Sequence, residues 1–320
     1  MPLPTLYITR LLPAPIMEAI RTRYALISEP QEGDIPTAEE LRRGFTHADA
    51  VICTLADRIT DDLFTAASRL KILANYAVGY NNIDVAAATR RDIVVTNTPD
   101  VLTDATADLA WALLLAAARR VVEGDRWTRT GTWPGWAPTQ MLGAEVAGKS
   151  LGIIGMGRIG QAVARRAAGF DMRVLYTGRK NLPHAALYTG WERASLQTVI
   201  EQSDFLSLHV PLTDSTRHMI GANELAAMRP GAILINTARG PVVDEAALLA
   251  ALRSRTIAAA GLDVYEREPE ILAGLEELSN VVLLPHLGSA TTETRIKMGL
   301  ICLENIAAVL AGNAPRTPVR

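Results

Sequence analysis

The stretch Leu151-Gly152-Ile153-Ile154-Gly155-Met156-Gly157-Arg158-Ile159-Gly160 constrains this chain more than any other. An apolar strand enters the glycines, and Ile159, Ala162, Val163 and Ala167 then recur at helical spacing. That strand, turn and helix setting gives a G-x-G-x-x-G run its meaning. Gly155 permits the tight turn, Gly157 lets backbone N–H groups approach a pyrophosphate, and Gly160 lets the helix pack close to the strand. The free N–H groups and positive dipole end of such a helix attract the anion. A bound dinucleotide is expected.

Two blocks of alternating strand and helix patterns surround this feature. In the first, strand runs at Leu6-Ile8, Ala50-Thr54, Ile72-Ala74 and Ile93-Thr96 alternate with helical stretches near Ala14-Thr22, Glu39-Arg43, Asp61-Ala67 and Val85-Thr89. In the second, six strands are expected at Leu151-Ile154, Val174-Tyr176, Phe205-Val210, Ile233-Thr237, Ala258-Leu262 and Val281-Leu284. This is βαβ grammar, so both blocks are read as α/β with parallel sheets, the second a doubly wound Rossmann type. A helix near Asp104-Arg120 and a Trp-, Gly- and Pro-rich segment, Trp127 to Leu142, lie between them, and a helix near Glu293-Leu310 follows.

Composition narrows the partners. Of 320 residues, 49% are hydrophobic and 21% charged, and the net charge is -2, with Lys and Arg scattered. No electrostatic footprint for nucleic acid or an anionic membrane results. Cys53 and Cys302 form no disulfide framework and no metal-ligand cluster. No apolar run approaches the ~18 residues of a membrane span, and no targeting segment is apparent. A cytoplasmic protein without a metal is expected.

The strand after the glycine helix discriminates between dinucleotides, because a carboxylate at its end would bind the ribose hydroxyls and repel a 2′-phosphate. Here Met172-Arg173-Val174-Leu175-Tyr176 runs into Thr177-Gly178-Arg179-Lys180, a hydroxyl, a glycine and two cations. These suit a 2′-phosphate, so NADP(H) is preferred and NAD remains open. Three further residues stand at expected strand ends or loops: Arg239-Gly240 after Ile233-Thr237, Glu268-Pro269 after Gly261-Tyr265, and His286 after Val281-Pro285. Open α/β sheets bind ligands at their carboxyl ends. Ketone reduction needs a proton donor, for which histidine titrates in the right range. A carboxylate on its second ring nitrogen would stabilise the imidazolium, and a guanidinium would polarise the carbonyl.

These stretches resemble the D-isomer-specific 2-hydroxyacid dehydrogenases, in their glyoxylate/hydroxypyruvate reductase branch. The resemblance rests on Ala77-Val78-Gly79-Tyr80-Asn81-Asn82-Ile83-Asp84, on Thr98-Pro99-Asp100-Val101-Leu102 through Asp108, and on the glycine turn. It continues through Ser203-Asp204-Phe205-Leu206-Ser207-Leu208-His209-Val210-Pro211, Met228-Arg229-Pro230 through Gly240, and Pro285-His286-Leu287-Gly288-Ser289-Ala290-Thr291. It implies two Rossmann-like or flavodoxin-like domains with the active site in their cleft: residues 1–100 plus 287–320 for substrate, and 101–286 for NAD(P). By position, Arg239 binds substrate, Glu268 is the partner carboxylate and His286 the general acid/base. Val78 and Gly79 amides hold the substrate carboxylate, and Leu55 forms an apolar wall. Thr106, Arg158, Ile159, Val210, Pro211, Thr216, Thr237, Ala238, Asp263, Gly288 and Ser289 join the cofactor pocket, with Arg239 and His286 also touching it.

The resemblance also implies a homodimer through the cofactor domain, with Trp133-Pro134-Gly135-Trp136 crossing to the neighbour and Trp136 shaping its site. Asn81 stands where many relatives carry aspartate and is expected to serve equally as a helix cap. The leading expectation is an NADPH-dependent reductase of glyoxylate and hydroxypyruvate. The alternatives are an NAD-dependent enzyme for another acid, such as 2-ketogluconate, and a non-catalytic dinucleotide-sensing corepressor. Retention of Arg239, Glu268 and His286 argues against the last.

Overall fold

The computed structural model describes residues 2–178 and 191–319, so Arg179 and Lys180 lie outside the described residues. The chain forms two compact units, Met1–Leu102 with Ser289–Arg320, and Thr103–Gly288. Both divisions fall two residues later than the sequence suggested, because a helix begins at Thr103 and Gly288 is tied into the second unit by side-chain bonds.

In the first unit, strands β1 (Thr5–Ile8), β2 (Ala25–Leu26), β3 (Ala50–Cys53), β4 (Ile72–Asn75) and β5 (Val94–Thr96) form a parallel sheet in the order β2-β1-β3-β4-β5. This is the 2-1-3-4-5 order of flavodoxin-like sheets. The helices are α1 (Ala14–Arg21), α2 (Ala38–His47), α3 (Asp61–Ala66), α4 (Val85–Thr89) and, from the chain's end, α11 (Thr292–Leu310). A capping box starts α2: Thr37 Oγ1 accepts from Glu40 N while Glu40 Oε2 accepts from Thr37 N, satisfying two orphan amides. The cap of α4 is Asp84, whose Oδ1 accepts from Ala87 N at 2.8 Å. The cap is therefore Asp84, not Asn81, because Asp84 is the residue that immediately precedes the first turn of α4. The two-residue edge strand β2 was absent from the sequence reading, being too short to carry a period.

The second unit holds α5 (Thr103–Ala118), α6 (Val121–Arg129), β6 (Ser150–Ile154), α7 (Arg158–Ala167), β7 (Arg173–Thr177), β8 (Trp191–Arg193), α8 (Leu196–Gln202), β9 (Phe205–Leu208), α9 (Ala222–Ala227), β10 (Ile233–Asn236), α10 (Glu245–Arg253), β11 (Ala259–Leu262) and β12 (Val281–Leu283). The sheet runs β12-β11-β10-β9-β6-β7-β8, all parallel. Leu151, Ile153, Val174, Tyr176, Phe205, Ile233 and Ile235 pack on one face with α5 and α7, while Ile154, Leu175, Leu206, Leu208 and Leu234 pack on the other. Both faces being covered, the strands read as continuous apolar runs. The described strands number seven where six were expected: Trp191-Glu192-Arg193 is two-thirds charged, a pattern only an edge strand tolerates. Strand order reverses at β6, so the carboxyl ends of β6 and β9 frame the topological switch point.

Candidate functional site

The glycine turn lies at that switch point. Gly155 has φ +99°, a conformation that glycine alone adopts freely. A Cβ there would also sit 2.6 Å from the His209 carbonyl carbon. A Cβ on Gly160 would lie 2.2 Å from the Gly155 oxygen, whereas one on Gly157 would meet nothing within 4 Å. The turn is thus tight beneath and open above. Among the described residues, nothing accepts from the amides of Ile159 and Gly160, and no side chain caps α7. An anion fits this cradle.

The other residues expected to bind the cofactor stand as follows. Gly155 N donates to Thr177 O at 3.0 Å, joining the turn to the end of β7. Val210 and Pro211 follow β9, and Thr216 Oγ1 donates to Pro211 O at 2.7 Å to close that loop. Thr237 directly follows β10, with its hydroxyl buried and without a partner, an orphan that a ligand would satisfy. Thr106 of α5 donates to Gly288 O at 2.9 Å, and Asp263 after β11 accepts from Gly288 N at 2.8 Å. Ser289 is the first residue of the C-terminal segment of the other unit.

Three chemical side chains rise at the carboxyl end of β10, β11 and β12. His286 Nδ1 and Glu268 Oε2 are 2.8 Å apart. Glu268 Oε1 accepts from Tyr265 N at 3.1 Å, and Tyr265 Oη donates to Leu284 O at 2.9 Å, so one loop orients both partners. Burial resists ionisation of Glu268, but His286, the Tyr265 amide and Arg239 outweigh it and hold the carboxyl below its usual range. Burial also lowers the Arg239 pKa, opposed by Glu268, yet guanidinium stays cationic. The Asn236 side chain secures the Arg239 turn, donating to Arg239 O and accepting from Ala238 N, each at 3.0 Å.

His286 itself has φ +55°, a left-handed corner that non-glycine residues adopt only when their surroundings impose it. Asp263 imposes it: its two oxygens accept from Leu287 N at 2.6 Å and Gly288 N at 2.8 Å. Burial raises the Asp263 pKa against the pull of these amides and His286. Gly240 lies so close to Tyr265 that a Cβ would sit 1.8 Å from its carbonyl carbon. This locks the Arg239 turn onto the Glu268 loop. Glu245 N donates to Glu266 Oε1 and Glu266 N to Glu245 Oε1, at 3.0 and 2.7 Å, with His218 Nε2 3.1 Å from Glu266. None of these supporting roles was expected from the sequence: Asp263, Glu245, Glu266 and the Tyr265 hydroxyl act on partners 19 to 25 positions away, whereas Asn236 acts within three positions through a turn that no periodicity marks. His209, beside the glycine turn, has its pKa pushed down by burial to about 4 and is neutral near pH 7.

In the first unit, Leu55 follows β3 and Val78-Gly79 follow β4, at the carboxyl edge of adjacent strands. Asn97 Nδ2 holds Val78 O and Asn75 Nδ2 holds Gly79 O, each at 2.8 Å. No described residue accepts from the amides of Val78 and Gly79, which makes them donors for an anion. No group of three or more described His, Cys, Asp or Glu residues could hold a metal, and no described helix is long and apolar enough to cross a membrane.

A switch-point glycine turn sharing its sheet edge with a histidine–carboxylate pair is the arrangement of a dinucleotide-dependent oxidoreductase. Residues 111–288 match the family model of the D-isomer specific 2-hydroxyacid dehydrogenase, NAD binding domain. The chain is 50% identical over 320 residues to a glyoxylate reductase of Thermococcus kodakarensis, covering 99% of this chain and 96% of that one. A crystal structure of a protein from Thermus thermophilus superposes with TM-score 0.91 at 44% identity, covering 99% of this chain and 100% of that one. An NADPH-dependent glyoxylate/hydroxypyruvate reductase from Sinorhizobium meliloti, in complex with NADP and malonate, gives TM-score 0.84 at 35% identity over 99% and 96%. The chain belongs to the D-isomer-specific 2-hydroxyacid dehydrogenase family, in its glyoxylate reductase branch.

Proposed function

We propose that this chain reduces small 2-keto acids, glyoxylate to glycolate and hydroxypyruvate to D-glycerate, and uses NADPH in preference to NADH. The observation that carries the reading is the His286–Glu268 bond of 2.8 Å at the strand ends that also present Arg239. With Nδ1 engaged by Glu268, the other ring nitrogen of His286 delivers a proton to the carbonyl oxygen. Glu268 stabilises the imidazolium, and Arg239 polarises the carbonyl and steadies the carboxylate. The nicotinamide, when bound, supplies the hydride to the carbonyl carbon. In the first unit, the Val78 and Gly79 amides serve the substrate carboxylate and Leu55 limits the side chain.

The pyrophosphate is assigned to Gly155, Gly157, Arg158, Ile159 and Gly160, and the remaining dinucleotide to Thr106, Val210, Pro211, Thr216, Thr237, Ala238, Asp263, Gly288 and Ser289. Thr177 and Gly178, with Arg179 and Lys180, take the 2′-phosphate. The NADPH preference is supported by the absence of a carboxylate at the end of β7 and by the named cofactor of the Sinorhizobium meliloti relative. A homodimer belongs to the same reading: Trp136 is 82% and Trp133 51% exposed in a segment rich in apolar surface, as interfaces require.

The purified protein should oxidise NADPH with glyoxylate or hydroxypyruvate, with higher kcat/KM than with NADH. His286→Ala should lower kcat by roughly 10²–10⁴-fold while still binding NADPH, as loss of a general acid does. Equal turnover by wild type and His286→Ala would remove the proton donor, and an NADH preference would remove the cofactor assignment.

A further inference from the structure

We infer that Arg193, on edge strand β8, is a recognition residue for the 2′-phosphate of the dinucleotide; this rests on the NADPH reading above. Three observations support it. In the parallel register of β7 and β8, Arg193 stands opposite Tyr176 and Trp191 opposite Val174. Tyr176, Val174 and Trp191 all pack on the α7 side of the sheet. In-register partners share a face, so Arg193 is presented on the side of the helix that begins at the glycine turn.

Second, Arg193 Nη2 donates to Gly178 O at 3.1 Å. Gly178 is the residue just past the end of β7, where a carboxylate in NAD-binding sheets meets the ribose hydroxyls. A Cβ on Gly178 would lie 3.4 Å from Met156 N, so this corner is packed on the glycine turn itself. The guanidinium is one hydrogen bond from the place where the ribose of a turn-bound dinucleotide must come.

Third, the acid beside it is turned away. Glu192 alternates to the opposite face of β8 and pairs with Arg173 Nη2 at 2.5 Å. Thr177 and Gly178 add no acid. A planar guanidinium offers the fork of donors that phosphate oxygens accept. Three-residue β8 gave no such signal in the sequence, because nothing local marks it as paired with β7.

The test compares 2′,5′-ADP with 5′-AMP, which differ only in the 2′-phosphate, by calorimetric titration of wild type, Arg193→Gln and Arg193→Lys. Wild type should bind 2′,5′-ADP more tightly. Arg193→Gln should weaken 2′,5′-ADP roughly tenfold while holding 5′-AMP within about twofold, and Arg193→Lys should recover part of the loss, as expected for one charge-assisted contact. Undiminished discrimination by Arg193→Gln, or an equal loss for both nucleotides, would overturn the inference while leaving the NADPH reading in place. Wild type indifferent to the 2′-phosphate would overturn both.

Discussion

At the scale of single residues, Glu268 shows how a carboxylate is kept ready beside a histidine. Burial works against its charge, and the His286 ring, the Tyr265 amide and Arg239 together more than offset it. Its folded-state pKa is depressed, so the stabilisation it contributes is fully present above the unfolded-chain value and fades as pH falls through the folded value. The melting temperature of wild type should therefore exceed that of Glu268→Gln near neutrality, and the gap should close as pH is taken down to about 3. A gap independent of pH would show that the ion pair contributes nothing through its charge. Arg239, Glu268 and His286 were legible in the chain because each follows an apolar run at a Gly or Pro punctuation. Their supports were not: Asp263 acts on Leu287 across 24 positions and Glu245 on Glu266 across 21.

Among the elements, β6, the glycine turn and α7 were readable together, since their period and turn chemistry lie within one short stretch. Two glycines of that turn make opposite demands. Gly160→Ala drives a Cβ against the Gly155 carbonyl, a backbone clash that should cost about 1–3 kcal/mol or more in urea unfolding. Gly157→Ala meets open space and should fold with near-native stability, yet lose dinucleotide affinity because its methyl occupies the phosphate's approach. A Gly157→Ala variant with undiminished NADPH binding, measured by fluorescence titration, would detach the turn from the cofactor. Helix α6 and strand β8 escaped the sequence reading for a different reason. Val121–Arg129 buries no residue, and Trp191–Arg193 lies at a sheet edge, so neither carries a strong apolar period.

For the whole molecule, the residues that match an NAD binding domain, 111–288, lie within the unit Thr103–Gly288. A ligand that binds only the folded state stabilises it by mass action, about 2.7 kcal/mol at a hundredfold excess over Kd. NADPH should therefore raise the thermal transition, with hydrogen-exchange protection concentrated in residues 155–160 and 209–216. Protection spread evenly over both units would contradict this placement. The sequence by itself determined the α/β class, the doubly wound second block and the candidate acid–base residues, because hydrophobic period and turn residues act over a few positions. The tertiary structure alone decided which side chains hold them. Asp263 forces the left-handed corner at His286, Glu245 and Glu266 clasp each other's amides, and Arg193 reaches Gly178. Those partnerships exist only once a parallel sheet has brought the carboxyl ends of distant strands side by side.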